Sequence, residues 1–303
     1  MQIKVGIPQA MLYHEFGRLW TGFFQTMNIP VTVSGGTNKH MLDRGTILAM
    51  DESCLPLKVY LGHVDSLLSS CSHIFVPRIV QYHQHFYFCS KFAGLPDIVC
   101  NTFGLSPERL ISPNMEEHLL TNQLRAVYTT CHALGVSAVA GYLAYHQALQ
   151  SWKSQALSDK AVCKDSIAVI GHSYLVKDIF FCHDIEQVLT SYGVTMITSD
   201  QIASKVLYDE SKIFESDIYW QLSAKIAGAA QFFCRQKDVK GVIMLSSFGC
   251  GPDSLVNEYI EHYVLKKSGK PYIIINLDEH TGRAGLITRV EAFLDLMEWR
   301  KKG

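Results

Sequence analysis

Two stretches of this chain repeat one pattern, in which a short apolar run is followed by an amphipathic run and then by a second apolar run. The three segments are residues 3–7, 10–27 and 29–33 in the first stretch and residues 166–172, 175–192 and 194–197 in the second. Short continuous apolar runs are typical of buried strands, and apolar residues at a helical period are typical of amphipathic helices. The alternation predicts an α/β fold with two Rossmann-like lobes, each built on a mainly parallel sheet.

A polar, charged stretch near the middle of the chain separates these two patterns. It spans residues 154–165, and we place the domain boundary inside it. This gives an N-terminal α/β lobe of residues 1–157 and a C-terminal α/β lobe of residues 158–303. A chain of 303 residues is long enough for two lobes that each bury a core of ordinary size.

The balance of charge argues against two classes of partner. A formal net charge of −1 gives no electrostatic reason to expect binding to nucleic acid or to an anionic membrane. No segment offers the roughly 18 consecutive apolar residues that span a bilayer, and the N-terminus lacks the features of a signal peptide. We therefore expect a soluble, cytoplasmic protein.

The nine cysteines of the chain are too scattered for a secreted disulfide framework. They contain no CxxC pair, so a metal site would have to be assembled from distant parts of the chain. Most of them lie in or beside apolar helical stretches, where cysteine behaves as a small buried hydrophobic residue. This group consists of Cys71, Cys100, Cys131, Cys163, Cys182 and Cys234.

The remaining cysteines differ because proline, glycine, serine or charged residues flank them. They are Cys54, Cys89 and Cys250. Cys250 follows the apolar run 241–245, so we expect it at the carboxyl end of a strand. Asp253 or Ser254 would cap the helix that follows, and the dipole of that helix would favour a thiolate. From chemistry alone, three such thiols could hold an iron-sulfur cluster, bind zinc with a fourth ligand, or be unrelated.

Several separated motifs occur in one order along nearly the whole chain. They are Asp51–Lys58, Val76–Ile79, Cys89–Asp97, Ser246–Asp253 and the stretch from Asp278 to Phe293. Together they are similar to the acyl-CoA dehydratase activase-related family, which is related to 2-hydroxyacyl-CoA dehydratase components and to double-cubane cluster proteins. The resemblance implies a 4Fe-4S cluster between the two lobes, held by Cys54, Cys89 and Cys250 with one iron left open. It also implies that a separate, ATP-hydrolysing activase supplies the electrons.

Two departures from the family pattern bear on the function. Ser90 follows Cys89 where proline is expected, a change outside the thiolate itself. The 303 residues contain no ATPase domain of the kind that precedes this region in larger members, and they contain no GxxxxGK(S/T) phosphate-binding loop. We therefore expect that the chain does not hydrolyse ATP alone and that reduction of its cluster requires the activase as a partner.

The fourth ligand and the groups that move protons are less constrained by the sequence. Glu52, Glu279 and His280 are candidates for the open iron, and none of them is favoured by spacing. Glu279 and His280 are also the candidate catalytic residues, because either side chain can transfer a proton. The alternative interpretation of residues 278–282 is a turn followed by a helix cap.

Other polar side chains near these motifs have two interpretations each. His83 and His85 alternate along one predicted strand and could bind metal, although a solvent-facing or partly buried pair is the simpler interpretation. Lys58, Arg78 and Lys91 flank the first-lobe cysteines. They either contact an anionic substrate or the cluster, or pair with the acidic residues of the motif around Cys54.

The leading hypothesis is therefore an iron-sulfur protein that serves low-potential electron transfer or reductive chemistry. A second hypothesis is a 2-hydroxyacyl-CoA dehydratase-like lyase, in which the open iron binds an acyl-CoA or another small molecule. A third is a non-catalytic, metal-stabilised scaffold whose partners perform the chemistry. Association of two copies into a homodimer is left open by the sequence.

Overall fold

A computed structural model describes residues 3–83, 86–115, 120–155, 164–214 and 218–302. The predictions made for Cys163 and for His85, and with it the pair of His83 and His85, lie outside the described residues. The chain divides into two compact units. The first consists of Met1–Leu157 with Tyr219–Gln221, and the second consists of Ser158–Ile218 with Leu222–Gly303.

The first unit is built on a four-stranded parallel sheet. Its strands are Val5–Ile7 (β1), Val31–Val33 (β2), His73–Phe75 (β3), Arg78–Ile79 (β4), Gln81–His83 (β5), Phe86–Tyr87 (β6), Leu110–Ile111 (β7) and Asn114–Met115 (β8). Its helices are Tyr13–Thr26 (α1), Lys39–Leu48 (α2), Leu55–Leu67 (α3), Ser90–Ala93 (α4), Leu95–Phe103 (α5), Leu120–Ala133 (α6) and Ala138–Gln155 (α7). The main sheet has the order β2-β1-β3-β7, with Val5 opposite both Val31 and His73. Strands β4 and β8 form a small parallel pair, and β5 and β6 form an antiparallel one.

An aromatic cluster attaches α1 to this sheet. The ring of Trp20 lies 4.7 Å from the ring of Phe75 on β3 and 5.4 Å from that of Phe23, measured between centroids. Phe24 lies 5.4 Å from Phe75, and all three α1 rings are almost fully buried. Large aromatic side chains contribute much of the hydrophobic free energy of a small core, so this cluster secures the helix that follows the first strand.

Helices α2 and α3 pack with their backbones in direct contact. A side chain at Gly62 would place its first carbon 1.9 Å from the Met41 carbonyl oxygen, and one at Gly45 would place it 1.7 Å from the Lys58 carbonyl oxygen. Both distances are far below van der Waals contact, so only glycine permits this packing. Nearly every residue of α3 is buried as a result, which is typical of a helix enclosed on all sides.

A buried histidine connects α3 to the loop that follows β2. His63 is fully buried; its Nδ1 lies 2.7 Å from the Ser34 hydroxyl and its Nε2 lies 2.9 Å from the Thr37 hydroxyl. Burial, with a smaller contribution from the neighbouring His14, lowers the pKa of His63 to about 4. The imidazole is therefore neutral near pH 7, and hydroxyl groups satisfy both of its nitrogens.

The second unit repeats the strand order of the first. Its strands are Ser166–Ile170 (β9), Thr195–Thr198 (β10), Val239–Ser247 (β11) and Tyr272–Leu277 (β12). Its helices are Ser173–Val176 (α8), Ile179–Ser191 (α9), Ser204–Glu210 (α10), Gln221–Arg235 (α11), Gly251–Ile260 (α12), Lys266–Ser268 (α13) and Arg283–Lys302 (α14), and α12 continues through a π-helical turn at Glu261–Leu265. The sheet has the order β10-β9-β11-β12 and is parallel throughout, with Val169 opposite Ile243 and Leu245 opposite Ile275.

In each unit the first and third strands are neighbours at the centre of the sheet. This order and the parallel pairing confirm the predicted α/β fold with Rossmann-like units. In such sheets the chain crosses to opposite faces after these two strands, and ligands bind beyond their carboxyl ends. Among the described helices, none combines the length and the apolar character needed to cross a membrane.

Two helix predictions differ from the structure for local reasons. The run 219–233, rich in alanine and glutamine, predicts a helix that begins at Tyr219. The helix begins at Gln221 instead, because the ring of Tyr219 stacks on that of Tyr87 at 4.6 Å and its carbonyl accepts from the Tyr87 amide. The helix predicted over 175–192 is broken at Asp178, whose carboxylate accepts from the Phe180 amide and starts a new helix.

Candidate metal centre

The two cysteines predicted as ligands in the first unit have the same backbone setting. Cys54 precedes α3 with φ −64° and ψ 151°, and Cys89 precedes α4 with φ −64° and ψ 156°. Each carbonyl accepts an amide hydrogen bond from the first turn of its helix. Both residues are therefore helix N-caps, with their thiols at the end where helix amides point outwards.

The thiols of Cys54 and Cys89 lie close enough to influence each other. Burial raises the pKa of Cys89, amide hydrogen bonds from Lys91 and Phe92 lower it, and the Cys54 thiol raises it again. Neighbouring thiolates repel each other, and a bound cation would compensate that repulsion. The fold thus brings together two of the three predicted ligands from distant parts of the sequence, and their binding of metal stays a prediction.

Arg78 holds the segment that follows Cys89. Its guanidinium donates to the Ala93 carbonyl at the end of α4 and forms a salt bridge of 2.9 Å with Asp97 on α5. A planar guanidinium that binds two groups at once restrains both. The partner found for Arg78 is thus Asp97, rather than the acidic residues beside Cys54 that the sequence suggested.

Cys250 caps α12 in the second unit, after a tight turn at the end of β11. Gly249 has φ 75°, a conformation that favours glycine, and Cys250 itself is extended with φ −85° and ψ 106°. The backbone amide and the hydroxyl of Ser254 both donate to the Cys250 carbonyl, at 3.0 and 2.9 Å. A cleft of about 400 Å³ opens beside this turn and is lined by residues of β11, β12 and the turn itself.

The prediction that Asp253 or Ser254 caps α12 is wrong. Cys250 occupies the cap position, and the Asp253 carboxylate faces a histidine on the neighbouring strand connection instead. The Nε2–H of His172 donates to Oδ1 of Asp253 at 2.6 Å. His172 is 4% exposed and Asp253 is 2% exposed, so this charge-assisted bond is shielded from water.

Topology explains why His172 meets Asp253 and Cys250. His172 follows β9 and Cys250 follows β11, and these two strands pair in parallel at the centre of the sheet. Gly171 permits the close approach, since a side chain there would meet the Leu245 carbonyl oxygen at 3.0 Å. One ligand atom from each of His172, Cys250 and Asp253 lies within 4.8 Å of the other two. The three side chains form a potential metal site within the second unit.

Sequence reasoning missed His172 and assigned Asp253 a capping role. The sequence did contain a signal for His172. His172 follows the apolar run 166–170 as Cys250 follows the run 241–245, and the carboxyl ends of parallel strands lie at one edge of a sheet. What the sequence did not show is that β9 and β11 are neighbours.

Residues 4–202 match the family described as CoA enzyme activase uncharacterised domain, a span of more than half of the chain. The chain belongs to this family. The resemblance inferred from the separated motifs is thereby confirmed. The matched span contains Cys54, Cys89 and His172 and ends before Cys250.

No curated protein matches the chain in sequence. Among solved structures, it is similar to that of laminin binding protein (Lmb) of Streptococcus agalactiae, described as a bifunctional protein with adhesin and metal transporting activity. The two chains are 9% identical, the alignment covers 98% of each, and the TM-score is 0.26. A similarity at this level supports no conclusion about fold or function.

The turn of this activase-family chain that contains Glu279 and His280 is organised by a neighbouring aspartate. The Asp278 carboxylate accepts from the Thr281 hydroxyl at 2.7 Å and from the His280 amide at 3.0 Å. The Thr281 hydrogen bond is the main reason that the pKa of Asp278 lies below its usual range. His280 is exposed and Glu279 is half-buried. The turn interpretation accounts for Asp278 and Thr281, and the catalytic roles of Glu279 and His280 stay predictions.

The cysteines predicted to be buried hydrophobic residues fall into two groups among the described residues. Cys71, Cys131 and Cys182 are buried, whereas Cys100 and Cys234 are half-buried. Burial raises the pKa of Cys182 to about 12, with smaller contributions from nearby carboxylates. Such a thiol stays protonated at neutral pH and is a poor metal ligand.

Proposed function

We propose that this member of the CoA enzyme activase family is an iron-sulfur protein, with a 4Fe-4S cluster bound by Cys54, Cys89 and Cys250. The proposed function is low-potential electron transfer or reductive chemistry. The observation that carries the proposal is the approach of the Cys54 and Cys89 thiols within the first unit. Two of the ligands belong to the first unit and the third to the second.

The chemistry of the donor set fits this cofactor. Thiolates are soft ligands that suit iron-sulfur clusters, and all three cysteines are present as thiols. When bound, the cluster would supply one-electron chemistry at low potential. The chain contributes the three thiolates and the Lys91 and Phe92 amides, which donate to the Cys89 sulfur. Hydrogen bonds to ligand sulfurs are one of the means by which a protein tunes the potential of a cluster.

The proposed electron donor is a separate activase that hydrolyses ATP, and the proposed acceptor is an enzyme acting on CoA esters. The description of the family, which names activation of CoA enzymes, supports this pairing.

Metal analysis of the anaerobically purified full chain tests the proposal. We expect about four iron and four sulfide per chain, with an EPR signal after reduction. Single Cys54→Ser, Cys89→Ser and Cys250→Ser variants should each lose most of the iron. Cys100→Ser is the matched control, because Cys100 is a half-buried thiol outside the proposed ligand set and its loss should leave the iron content unchanged.

Two outcomes would contradict the iron-sulfur proposal. One is wild-type protein that contains no iron after anaerobic purification and reconstitution with iron and sulfide. The other is a Cys250→Ser variant that holds a full cluster. Stoichiometric zinc in anaerobically purified protein would favour the metal-stabilised scaffold instead.

A further inference from the structure

The pair of His172 and Asp253 contains two buried acceptor atoms without hydrogen-bond partners among the described residues. These atoms are Nδ1 of His172 and Oδ2 of Asp253. A carboxylate only accepts hydrogen bonds, so the 2.6 Å bond places the imidazole proton on Nε2 and leaves a lone pair on Nδ1. A buried acceptor without a partner is costly, so binding of a cation by the Asp253 carboxylate would offset part of that cost.

The Cys250 sulfur lies close to His172 and Asp253, so the possible metal ligands here are a thiolate, an imidazole and a carboxylate. The three candidate ligand atoms, one from each side chain, lie within 4.8 Å of one another. Around one tetrahedral metal ion with bonds of about 2.0–2.3 Å, ligand atoms lie roughly 3.3–3.8 Å apart. Thiolate, imidazole and carboxylate are all established ligands of zinc. An ion bound by all three would take the place of the proton that Nε2 of His172 shares with Oδ1 of Asp253, and that proton would be released to solvent.

We infer that the second unit alone binds a single divalent transition-metal ion through Cys250, His172 and Asp253. This inference goes beyond the proposed cluster, since it needs neither Cys54 nor Cys89. It shares Cys250 with the cluster, so the two forms of metal binding exclude each other. Three protein ligands leave a fourth position on the ion for water or a small ligand.

Cobalt(II) titration of the metal-free full chain tests this site, with a Cys54→Ser/Cys89→Ser double variant as the background. Removal of both first-unit thiols separates the mononuclear site from the proposed cluster. We expect a thiolate-to-cobalt charge-transfer band together with intense visible bands of tetrahedral cobalt. Adding Cys250→Ser should abolish the charge-transfer band, and adding His172→Gln or Asp253→Asn should weaken binding at least about 10-fold. His262→Gln, at an exposed histidine on the π-helical turn that follows α12, is the matched control and should leave the affinity unchanged.

X-ray absorption of the zinc-loaded double variant provides a measurement that does not alter the buried pair. We expect one sulfur at about 2.3 Å and the remaining ligands at about 2.0–2.1 Å from nitrogen or oxygen. An all-sulfur shell, the absence of a thiolate band, or unchanged affinity in the folded His172→Gln variant would overturn the inference. Iron and sulfide analysis of the wild type decides the cluster proposal separately, so the failure of one can be told from the failure of the other.

Discussion

Replacement of Gly62 by alanine is expected to lower the free energy of unfolding of the first unit by about 3 kcal/mol or more. The added methyl carbon would lie 1.9 Å from the Met41 carbonyl oxygen, a backbone atom that cannot turn aside as a flexible side chain can. Helix α2 would therefore have to move away from α3. Urea denaturation followed by circular dichroism measures the change in stability.

Gly22 provides the matched control for this substitution. It also lies within a helix of the first unit, but a side chain there would meet only the Ala148 methyl group at 3.5 Å, an ordinary contact. Gly22→Ala should be neutral or stabilising by up to about 1 kcal/mol, because alanine is the better helix former. Equal stabilities of the two variants would show that α2 and α3 do not pack through their backbones.

The second large effect is a loss of stability on acidification that originates at His63. The pKa of this histidine is lowered to about 4 in the folded chain by burial, against 6.5 for an ordinary histidine. Between these values the unfolded chain binds a proton that the folded chain does not, so folding stability rises with pH. The contribution is complete above pH 6.5 and is lost as the pH falls towards 4, a change of about 3 kcal/mol.

Comparison with a His63→Gln variant isolates this contribution from other groups that titrate in the same range. Glutamine can accept and donate hydrogen bonds to the Ser34 and Thr37 hydroxyls, yet it carries no titrating proton. Urea denaturation at intervals between pH 7 and pH 4.5 should show a steeper fall in stability for the wild type. Parallel curves for the two proteins would contradict the assignment.

The sequence was sufficient for the fold and for the place of Cys250 between the end of a strand and the start of a helix. Apolar runs such as residues 166–170 and 241–245 became the central strands of the second sheet because their side chains are buried on both faces. Glycine and proline around Cys250 correctly indicated the beginning of a helix. These features depend on local propensity and period, which the chain displays residue by residue.

The features that escaped prediction depend on contacts between distant segments. In the sequence, Gly62 looks like a residue that weakens its helix. The reason for a glycine there is the Met41 carbonyl on another helix, which the sequence does not show. Asp253 has the residue type and position of a capping residue, but the bond to His172 competes successfully for its carboxylate. A contact with a distant residue also explains Tyr219, which stacks on Tyr87 and lies outside the helix predicted to include it. The pairing of β9 with β11 brings His172 to Asp253, and the packing of α2 on α3 brings Gly62 to Met41.

Residues 219–221 belong to the first unit, so they affect where the chain can be cut to express that unit alone. The polypeptide leaves the first unit after residue 157, returns to it for these three residues and then leaves again. A gene fragment that stops at residue 157 would encode Tyr87 without the aromatic ring and the carbonyl that it uses at Tyr219. Expression of the isolated first unit should therefore succeed only when the missing tripeptide is restored, for instance by grafting residues 219–221 onto the shortened chain through a flexible linker.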